Sequence, residues 1–427
     1  MPDQLRDDLR TARRASGLAW ADFARATGFG QAYLRNVENG NRRLTDQVAA
    51  AYDRVLQTGG RFARDAVDDA VPVAAPWSQD GAALAVLTDL ASGRRVDRRT
   101  LLTAGVALSV SAANWAAAVR PGLGKPGFAG VDAPALLAGL EGRLDHLRRV
   151  DDELGSGEVF HAARSDLALA VAAIKSGRFT SPHLDRLYAI TTEAARQVAW
   201  AAFDQGRPGV AQSYFDASLR ASAECGDVTG GVYTLSFAAV QCYSTPGLAR
   251  RAIDVLDTAR AQVRGRCTPR MEAMLAARTA RALSKTGDRV GTAHQLHLAR
   301  TALDKGPHDD DPAVLYWVTE GEIEMIAGSS ALELGDPKEA LRRFDAGMAT
   351  YRGDEQYPRS HAIYLARAAE AHLAEGDLDA AVATGRHAAA CLGGVDSARS
   401  ASQLKGLRGK LLPHARYRPV AEFLQGG

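Results

Sequence analysis

Polar side chains that can read DNA bases recur at helical spacing after Gly30. Gln31, Ala32, Arg35, Asn36 and Asn39 would share the outer face of one short helix, because residues three and four apart lie on one side. The side chains of Gln and Asn can bond adenine at two points, and a guanidinium can bond guanine in the same way. The spacing therefore predicts a helix that contacts base edges in the major groove of DNA.

Neighbouring segments predict a small helical domain that positions this face. Leu34 and Val37 would face inward from the base-reading helix. Gly28 supplies a residue that tolerates positive φ before it, and Phe29 can plug inward from the turn. The other predicted helices are one at Leu5–Ser16 ending at Gly17, one carrying Phe23, Ala24 and Ala26, and one N-capped by Thr45 carrying Val48, Tyr52 and Val55. Residues 1–64 hold eleven Arg, no Lys and seven Asp or Glu, a mild excess that suits phosphate contact.

Three segments resemble the Cro and phage-repressor (XRE) helix-turn-helix family. They read L-R-x-x-L-R-x-A-R, F-A-x-x-x-G-F and Y-L-x-x-V-E-N-G-x-R-R, and the resemblance covers Leu5 to Leu56. It implies that the helix beginning at Gln31 is the recognition helix. The DNA-contacting residues that it implies are Trp20, Gln31, Ala32, Arg35, Asn36, Asn39, Arg42 and Arg43. The structural ones are Arg13, Gly28, Glu38 and Gly40, with Glu38 turned back towards Arg13.

The sequence departs from this family at three positions. Ala19 stands where the family has a hydroxyl N-cap, Trp20 where it has Gln, and Gly30 where it has a hydroxyl. Each lost cap weakens a helix by about 1 kcal/mol, although an indole N–H can still donate to a phosphate. These departures leave open an alternative in which DNA binding is weak or vestigial and the protein is an interaction adaptor.

Length and composition predict an all-α protein of two or three domains. The chain has 427 residues, 46% of them hydrophobic, with abundant Ala and few β-branched runs. The net charge is only +2, so nucleic-acid binding must be local to the N-terminal domain. Four scattered Cys show neither zinc-site nor disulfide spacing. The chain opens without an export signal, which favours a cytoplasmic protein.

Residues 65–134 are interpreted as a linker with bridging helices. Gln57 to Asp80 is rich in small and polar residues, and a helix is expected at Asp80–Ala91. The apolar stretch at 98–119, beginning with Arg98-Arg99, is interpreted as a buried helix N-capped by Asp97. A twin-arginine export signal and a membrane span remain alternatives. Actinobacterial XRE-type regulators carry a similar segment, which Trp77, Leu101 and Trp115 also match.

Residues 135–415 show an internal repeat of helical pairs. A small-residue helix, a Gly-containing turn and an Ala that opens the next helix recur with the Ala at positions 211, 249, 293, 340 and 381. The segments resemble tetratricopeptide repeats, which implies an α-α superhelix with a concave face for a peptide, a partner helix or a small ligand. Aromatic residues that could line it, although core packing is the commoner role, are Tyr188, Trp200, Tyr214, Tyr233, Tyr243, Tyr316, Trp317 and Tyr364.

Residue patterns typical of enzymes and metal sites are missing from the sequence. His294 and His297 have no acidic neighbour that completes a metal set, and Asp309 to Asp311 lack calcium-loop spacing. No phosphate loop or nucleophile motif occurs. We therefore predict no enzyme, no cofactor and no metal.

The sequence as a whole predicts a cytoplasmic transcription regulator. An XRE-type domain at 1–64 would bind a palindromic operator as half of a homodimer, and a repeat domain at 135–415 would sense a signalling peptide or small molecule, dimerise, or both. The alternatives are the adaptor and a membrane-tethered or exported protein.

Overall fold

The computed structural model describes residues 2–38, 46–59, 61–62, 77, 82–91, 104–119, 133–350, 357–392 and 397–425. Within these ranges the regular structure consists of twenty α-helices and two short 3₁₀ segments, with no β-strand. The all-α prediction is confirmed. None of the described helices is both long enough and apolar enough to cross a membrane.

Four helices form the N-terminal domain: α1 (Pro2–Ala15), α2 (Trp20–Thr27), α3 (Gln31–Glu38) and α4 (Asp46–Leu56). Their inner faces meet in a core of Leu9, Phe23, Ala24, Leu34, Val37, Val48, Ala49, Tyr52 and Phe62. The sequence predicts four or five helices in this domain, and beyond α4 the described residues Arg61 and Phe62 are helical. Ala26 was expected on the inner face of α2 but is exposed. Thr27 takes the buried position one residue later.

Two helices that the sequence placed in the linker pack on the repeat helices. They are α5 (Ala82–Ala91) and α6 (Ala104–Ala118), and Leu87, Leu90, Leu108 and Trp115 belong to the largest core. Trp115 Nε1 donates to Ser222 Oγ at 3.0 Å, and its ring fills the space beside Gly231. Residues 104–118 are thus helical, and Leu108, Ala112 and Trp115 of this helix are buried. Asp97, Arg98 and Arg99 lie outside the described residues, as do 120–132 and most of 63–81.

Fourteen further helices follow from residue 133 to 425 in the described part of the chain. They are α7 (Ala133–Leu154), α8 (Ser156–Lys175), α9 (Ser181–Asp204), α10 (Pro208–Cys225), α11 (Val228–Ser244), α12 (Ala249–Gln262), α13 (Pro269–Lys285), α14 (Arg289–Leu303), α15 (Glu320–Glu333), α16 (Pro337–Thr350), α17 (Pro358–Ala374), α18 (Leu378–Cys391), α19 (Ala398–Leu411) and α20 (Arg418–Gln425). The helices from α9 to α18 pack most closely as five consecutive pairs.

Short Gly-Asp turns join several pairs and explain the recurring pattern. The turn glycines expected from the sequence, Gly206, Gly247, Gly287, Gly335 and Gly376, have φ between 74° and 84°, a region that other residues rarely enter. After three of them an Asp caps the next helix by accepting a backbone N–H, as Asp288 does from Gly291 at 2.8 Å. The turn thus ends one helix and starts the next within two residues.

The Ala positions of the repeat are only partly buried. Ala211, Ala340 and Ala381 are fully buried at helix contacts, as close helix packing requires. Ala249 is half-buried, and Ala293 is exposed. In that pair, α13–α14, Thr292 is the buried residue, so the expected position is wrong by one residue.

Helices from the beginning and from near the end of the repeat region meet, so the superhelix curls into a ring. Helix α17 packs against α7, and α19 packs against α9. The buried Arg359 guanidinium on α17 lies 2.7 Å from Asp151 Oδ2 on α7, and Arg399 Nε donates to Asp204 Oδ1 on α9 at 3.1 Å. Tyr316 also donates to Asp152. A chain of buried ionic contacts therefore joins the two ends of the ring.

Candidate nucleic-acid interface and central cavity

The α2–α3 turn sets the angle between the two helices of the motif. Gly28 ends α2 with φ 79°, and its N–H donates to the carbonyl of Ala24. Phe29 is half-buried against the domain core and stacks on Tyr33, with ring centroids 5.8 Å apart. Helix α3 then begins at Gln31, as the sequence predicts. Ala19 precedes α2 in extended conformation and gives it no side-chain cap.

A buried ion pair fixes α3 against α1. Arg13 Nε donates to Glu38 Oε1 at 2.7 Å, and its terminal nitrogen donates to Oε2 at 2.9 Å. The hydroxyl of Tyr52 donates to Oε1 at 2.9 Å, and burial, the largest cause, raises the pKa of that hydroxyl. The hydrogen bond to Glu38 is the largest cause that raises the pKa of Arg13. Both carboxylate oxygens are therefore held inside the domain, and neither faces a ligand.

The outer face of α3 presents the side chains proposed to read DNA. Leu34 and Val37 are fully buried, whereas Ala32 and Arg35 are exposed and Gln31 and Asn36 are half-buried. The positions named from the sequence therefore sort into an inner and an outer side. Asn39, Gly40, Arg42 and Arg43 lie outside the described residues.

The half-buried Trp20 contacts two guanidinium groups instead of standing alone. Arg13 lies 3.8 Å and Arg35 lies 5.4 Å from the indole ring, distances typical of cation–π contact. The sequence assigned Trp20 only a possible phosphate contact. The structure adds that the indole ring links the buried pair to the exposed Arg35, so it restricts where that guanidinium can point.

Comparison with known proteins supports the nature of this N-terminal domain. Residues 4–66 match the sequence model of a family described as "Helix-turn-helix domain". No curated protein matches the chain. The N-terminal segment is accordingly a helix-turn-helix domain, which indicates a DNA-binding regulator.

The repeat ring surrounds a cavity of about 780 Å³. Six of the eight aromatic residues named from the sequence line it: Trp200, Tyr233, Tyr243, Tyr316, Trp317 and Tyr364. Tyr214 does not, since it is buried and donates to the carbonyl of Leu90 at 3.1 Å. Tyr188 packs on the core. Trp200, Tyr233 and Tyr243 are at the same time buried members of the largest core, so these aromatics combine core packing with lining the cavity.

Charged side chains also line the cavity, and the sequence did not single them out as a group. Nine Arg or Lys and five Asp or Glu of the described residues contribute to the wall. Burial, the largest cause, raises the pKa of Asp152 to about 6 and that of Glu322 to about 7. Tyr364 donates to Glu322 Oε1 at 2.6 Å. Acidic side chains at alternate positions of α15 point in different directions: Glu320 is exposed, whereas Glu322 lines the cavity.

A third feature is a set of three potential metal ligands on α17 and α18. The ligand atoms of His361, His387 and Cys391 all lie within 4.8 Å of one another. His387 and Cys391 are four residues apart on one helix, but His361 comes from the preceding helix. Spacing along the sequence could not reveal this cluster. His294 and His297, which the sequence considered and rejected, are not part of it.

Proposed function

We propose that this protein is a sequence-specific DNA-binding transcription regulator of the XRE type, acting in the cytoplasm. The exposed face of α3 carries the proposal: Ala32 and Arg35 point outward from a helix that the Arg13–Glu38 pair holds rigidly. Such a face suits the major groove, where a helix-turn-helix domain places its second helix. The proposed DNA contacts are Trp20, Gln31, Ala32, Arg35, Asn36, Asn39, Arg42 and Arg43.

The ring of tetratricopeptide-like pairs is proposed to control this contact. Two copies would bind the two halves of a palindromic operator, which requires their recognition helices to be about 34 Å apart or a multiple of that distance. A ligand in the central cavity would change this separation and so the affinity for the operator. The support for a ligand is the cavity itself, because its volume falls within the range of about 300–1,000 Å³ that small-molecule sites occupy.

Duplexes selected from a random pool by the full-length protein provide the test of base reading. Arg35→Ala and Asn36→Ala should each weaken binding to the selected duplex by about 1–3 kcal/mol and leave binding to random DNA nearly unchanged. Arg25→Ala is the matched control, since Arg25 is an exposed Arg on α2 whose loss changes the net charge equally. Equal losses on selected and random DNA would refute base reading by this face.

Salt dependence separates this function from the adaptor alternative. A regulator that neutralises phosphates loses affinity steeply as salt rises, because bound counterions are released on binding. A gel-shift titration with the selected duplex should show that slope. Failure to select any duplex, together with binding that is flat against salt, would favour the adaptor.

A further inference from the structure

Most cations in the cavity wall already have an acidic partner. Arg281, Lys285 and Arg367 surround Glu333, at 3.4, 2.7 and 3.3 Å. Arg148 and Arg196 share Glu193 just behind the wall, at 2.8 and 2.7 Å. The remaining pairs join Arg359 to Asp151, Arg399 to Asp204 and Lys410 to Glu370. Each of these eight side chains therefore has a carboxylate partner within the protein.

Arg278 is the exception among the wall cations that the structure describes. No described carboxylate lies within 4.0 Å of its guanidinium. One terminal nitrogen donates to the hydroxyl of Tyr243 at 3.1 Å, and the buried Nε has no acceptor. Burial opposes the charge of Arg278, but Tyr243 and Glu322 outweigh it and its pKa is raised, so the charge is supported from a distance without a direct ion pair. An anion from outside the chain would supply what is missing.

Aromatic rings surround the same guanidinium. Its central carbon lies 4.8 Å from the Trp317 ring and 5.9 Å from the Phe237 ring. Trp317 Nε1 is held by the hydroxyl of Tyr233 at 3.3 Å, and Tyr233 packs edge-on against Phe237 with centroids 5.1 Å apart. These rings are fixed by one another, so they form a rigid apolar wall beside a cation that has no direct ion pair with a described carboxylate. Such a wall favours a planar ligand, because flat rings pack well against aromatic side chains.

The overall charge of the cavity agrees with an anionic ligand. Nine basic and five acidic residues line the wall, and Glu193 and Asp204 behind it pair with three of the basic ones, so basic groups outnumber these acidic ones by two. Burial, the largest cause, raises the pKa of Asp152 to about 6 and that of Glu322 to about 7, so these two acids oppose an anion less than ordinary carboxylates would. The size of the cavity matches a single small molecule.

We propose that the central cavity binds a small planar organic anion, a carboxylate or phosphate ester carried on an aromatic ring. The Arg278 guanidinium receives the anion at two points, and Phe237 and Trp317 contact the planar part. This ligand class deepens the sensing role given to the ring under the proposed function and rests on that function for its regulatory consequence. Binding itself can be measured without DNA.

Calorimetric titration of the full-length protein with matched probes tests the proposal. The aromatic anions are benzoate, 1-naphthoate and 1-naphthyl phosphate. The controls are 1-naphthamide, which keeps the ring but not the charge, and acetate, which keeps the charge but not the ring. At least one aromatic anion should bind tenfold or more tightly than both controls. Absence of binding by all three anions, or equal binding of 1-naphthoate and 1-naphthamide, would overturn it.

Variants then locate the site. Arg278→Gln should weaken the bound anion at least tenfold, whereas Arg264→Gln, an exposed Arg in the α12–α13 connection, should leave it unchanged. Arg278→Lys keeps the charge without the two-point geometry and should fall between them. Quenching of tryptophan fluorescence should be smaller in Trp317→Phe, where of the described tryptophans only Trp200 remains in the cavity wall, and this reading does not depend on Arg278 variants folding. Wild-type affinity in Arg278→Gln, or quenching of undiminished size in Trp317→Phe, would place the anion elsewhere.

The ligand and the DNA function can fail separately. Loss of selected-duplex binding with intact 1-naphthoate binding would reject the regulator and leave the ligand class standing. Duplex binding without any bound aromatic anion would reject the ligand class and leave the regulator standing.

Discussion

In the helix-turn-helix domain both oxygens of the buried Glu38 accept hydrogen bonds from the protein, whereas Arg278 in the cavity wall of the repeat ring forms no ion pair with a described carboxylate. The first arrangement is complete, and it orients α3 without taking part in binding. The second is incomplete at one cation, next to a group of pairs that are complete. Buried charge therefore serves to hold shape where it is balanced and indicates a ligand where it is not.

The closing contacts of the ring belong to the first kind. Arg359 is 4% exposed and lies against Asp151, with Ser156 and Trp200 also donating to that carboxylate. Burial alone would lower the pKa of Arg359, but Asp151, Asp204 and Asp152 outweigh it and the pKa is raised. Arg13 and Arg359 thus have the same role in two different regions of the molecule, because each is a buried cation paired with a buried carboxylate.

The strongest test of the comparison removes each of these two cations. Arg13→Met and Arg359→Met each leave a buried carboxylate without its counter-charge, so each should destabilise its own region by about 3–5 kcal/mol. Amide hydrogen exchange measured by mass spectrometry reads the two regions separately. We expect Arg13→Met to speed exchange in α1–α4, and Arg359→Met to speed it in α7, α9 and α17.

Exposed ion pairs provide the controls for that experiment. Arg25→Met on α2 and Arg186→Met on α9 each break a solvated pair, with Asp22 and Glu141, which costs about 1 kcal/mol or less. If Arg13→Met accelerated exchange equally in α1–α4 and in the ring, the two regions would unfold as one unit. The view that each buried cation stabilises only its own region would then be wrong.

Rules that act over a few residues explain how much of the helix-turn-helix domain could be predicted. The start of α3 at Gln31, the inward Leu34 and Val37 and the positive φ of Gly28 all follow from helical spacing and turn chemistry. The same rules fail where they must resolve a single position. Neighbouring helix residues point about 100° apart, so the buried Thr27 and Thr292 were each missed in favour of the adjacent Ala.

The cavity could not be predicted, because contacts between distant parts of the chain create it. Its wall draws on residues from Leu147 to Lys410, and closure depends on α17 meeting α7. The aromatic residues were visible in the sequence, but their direction was not. That Arg278 lacks a carboxylate while its neighbours have one is a property of the closed ring. The cluster of His361, His387 and Cys391 escaped notice for the same reason.

A smaller predicted effect is that the stability of the ring depends on pH through Glu322 in the cavity wall. Burial raises the pKa of Glu322 to about 7, above its value in an unfolded chain. A carboxyl with a raised folded-state pKa favours the fold when protonated, and that contribution is lost as pH rises through about 7. Between pH 8 and pH 6 the ring should therefore gain about 1.4 kcal/mol from this group, since one pKa unit corresponds to 1.36 kcal/mol.

Comparison with Glu322→Gln isolates that contribution from other titrating groups. The amide keeps an acceptor for Tyr364 but does not ionise, so denaturant unfolding of the variant should depend less on pH than that of the wild type. Glu320→Gln, at an exposed position on the same helix, should behave as the wild type. Identical pH dependence of unfolding in all three proteins would show that the pKa of Glu322 is not raised in the folded protein.

The smallest predicted effect concerns the helix-turn-helix domain. Its buried Arg13 and Glu38 are paired, but its helix α2 begins without a side-chain N-cap. Ala19 has the extended conformation of an N-cap, φ −62° and ψ 148°, but no side chain that accepts from the first turn of α2. Ala19→Ser would supply that acceptor and should stabilise the domain by about 1 kcal/mol. Hydrogen exchange in α2 should slow accordingly. Ala21→Ser places the same hydroxyl at the second residue of the same helix, where it cannot act as the N-cap. This substitution should not increase the stability of the domain. Equal effects of the two substitutions would mean that the hydroxyl acts through something other than capping, and that the departure at Ala19 costs the domain nothing.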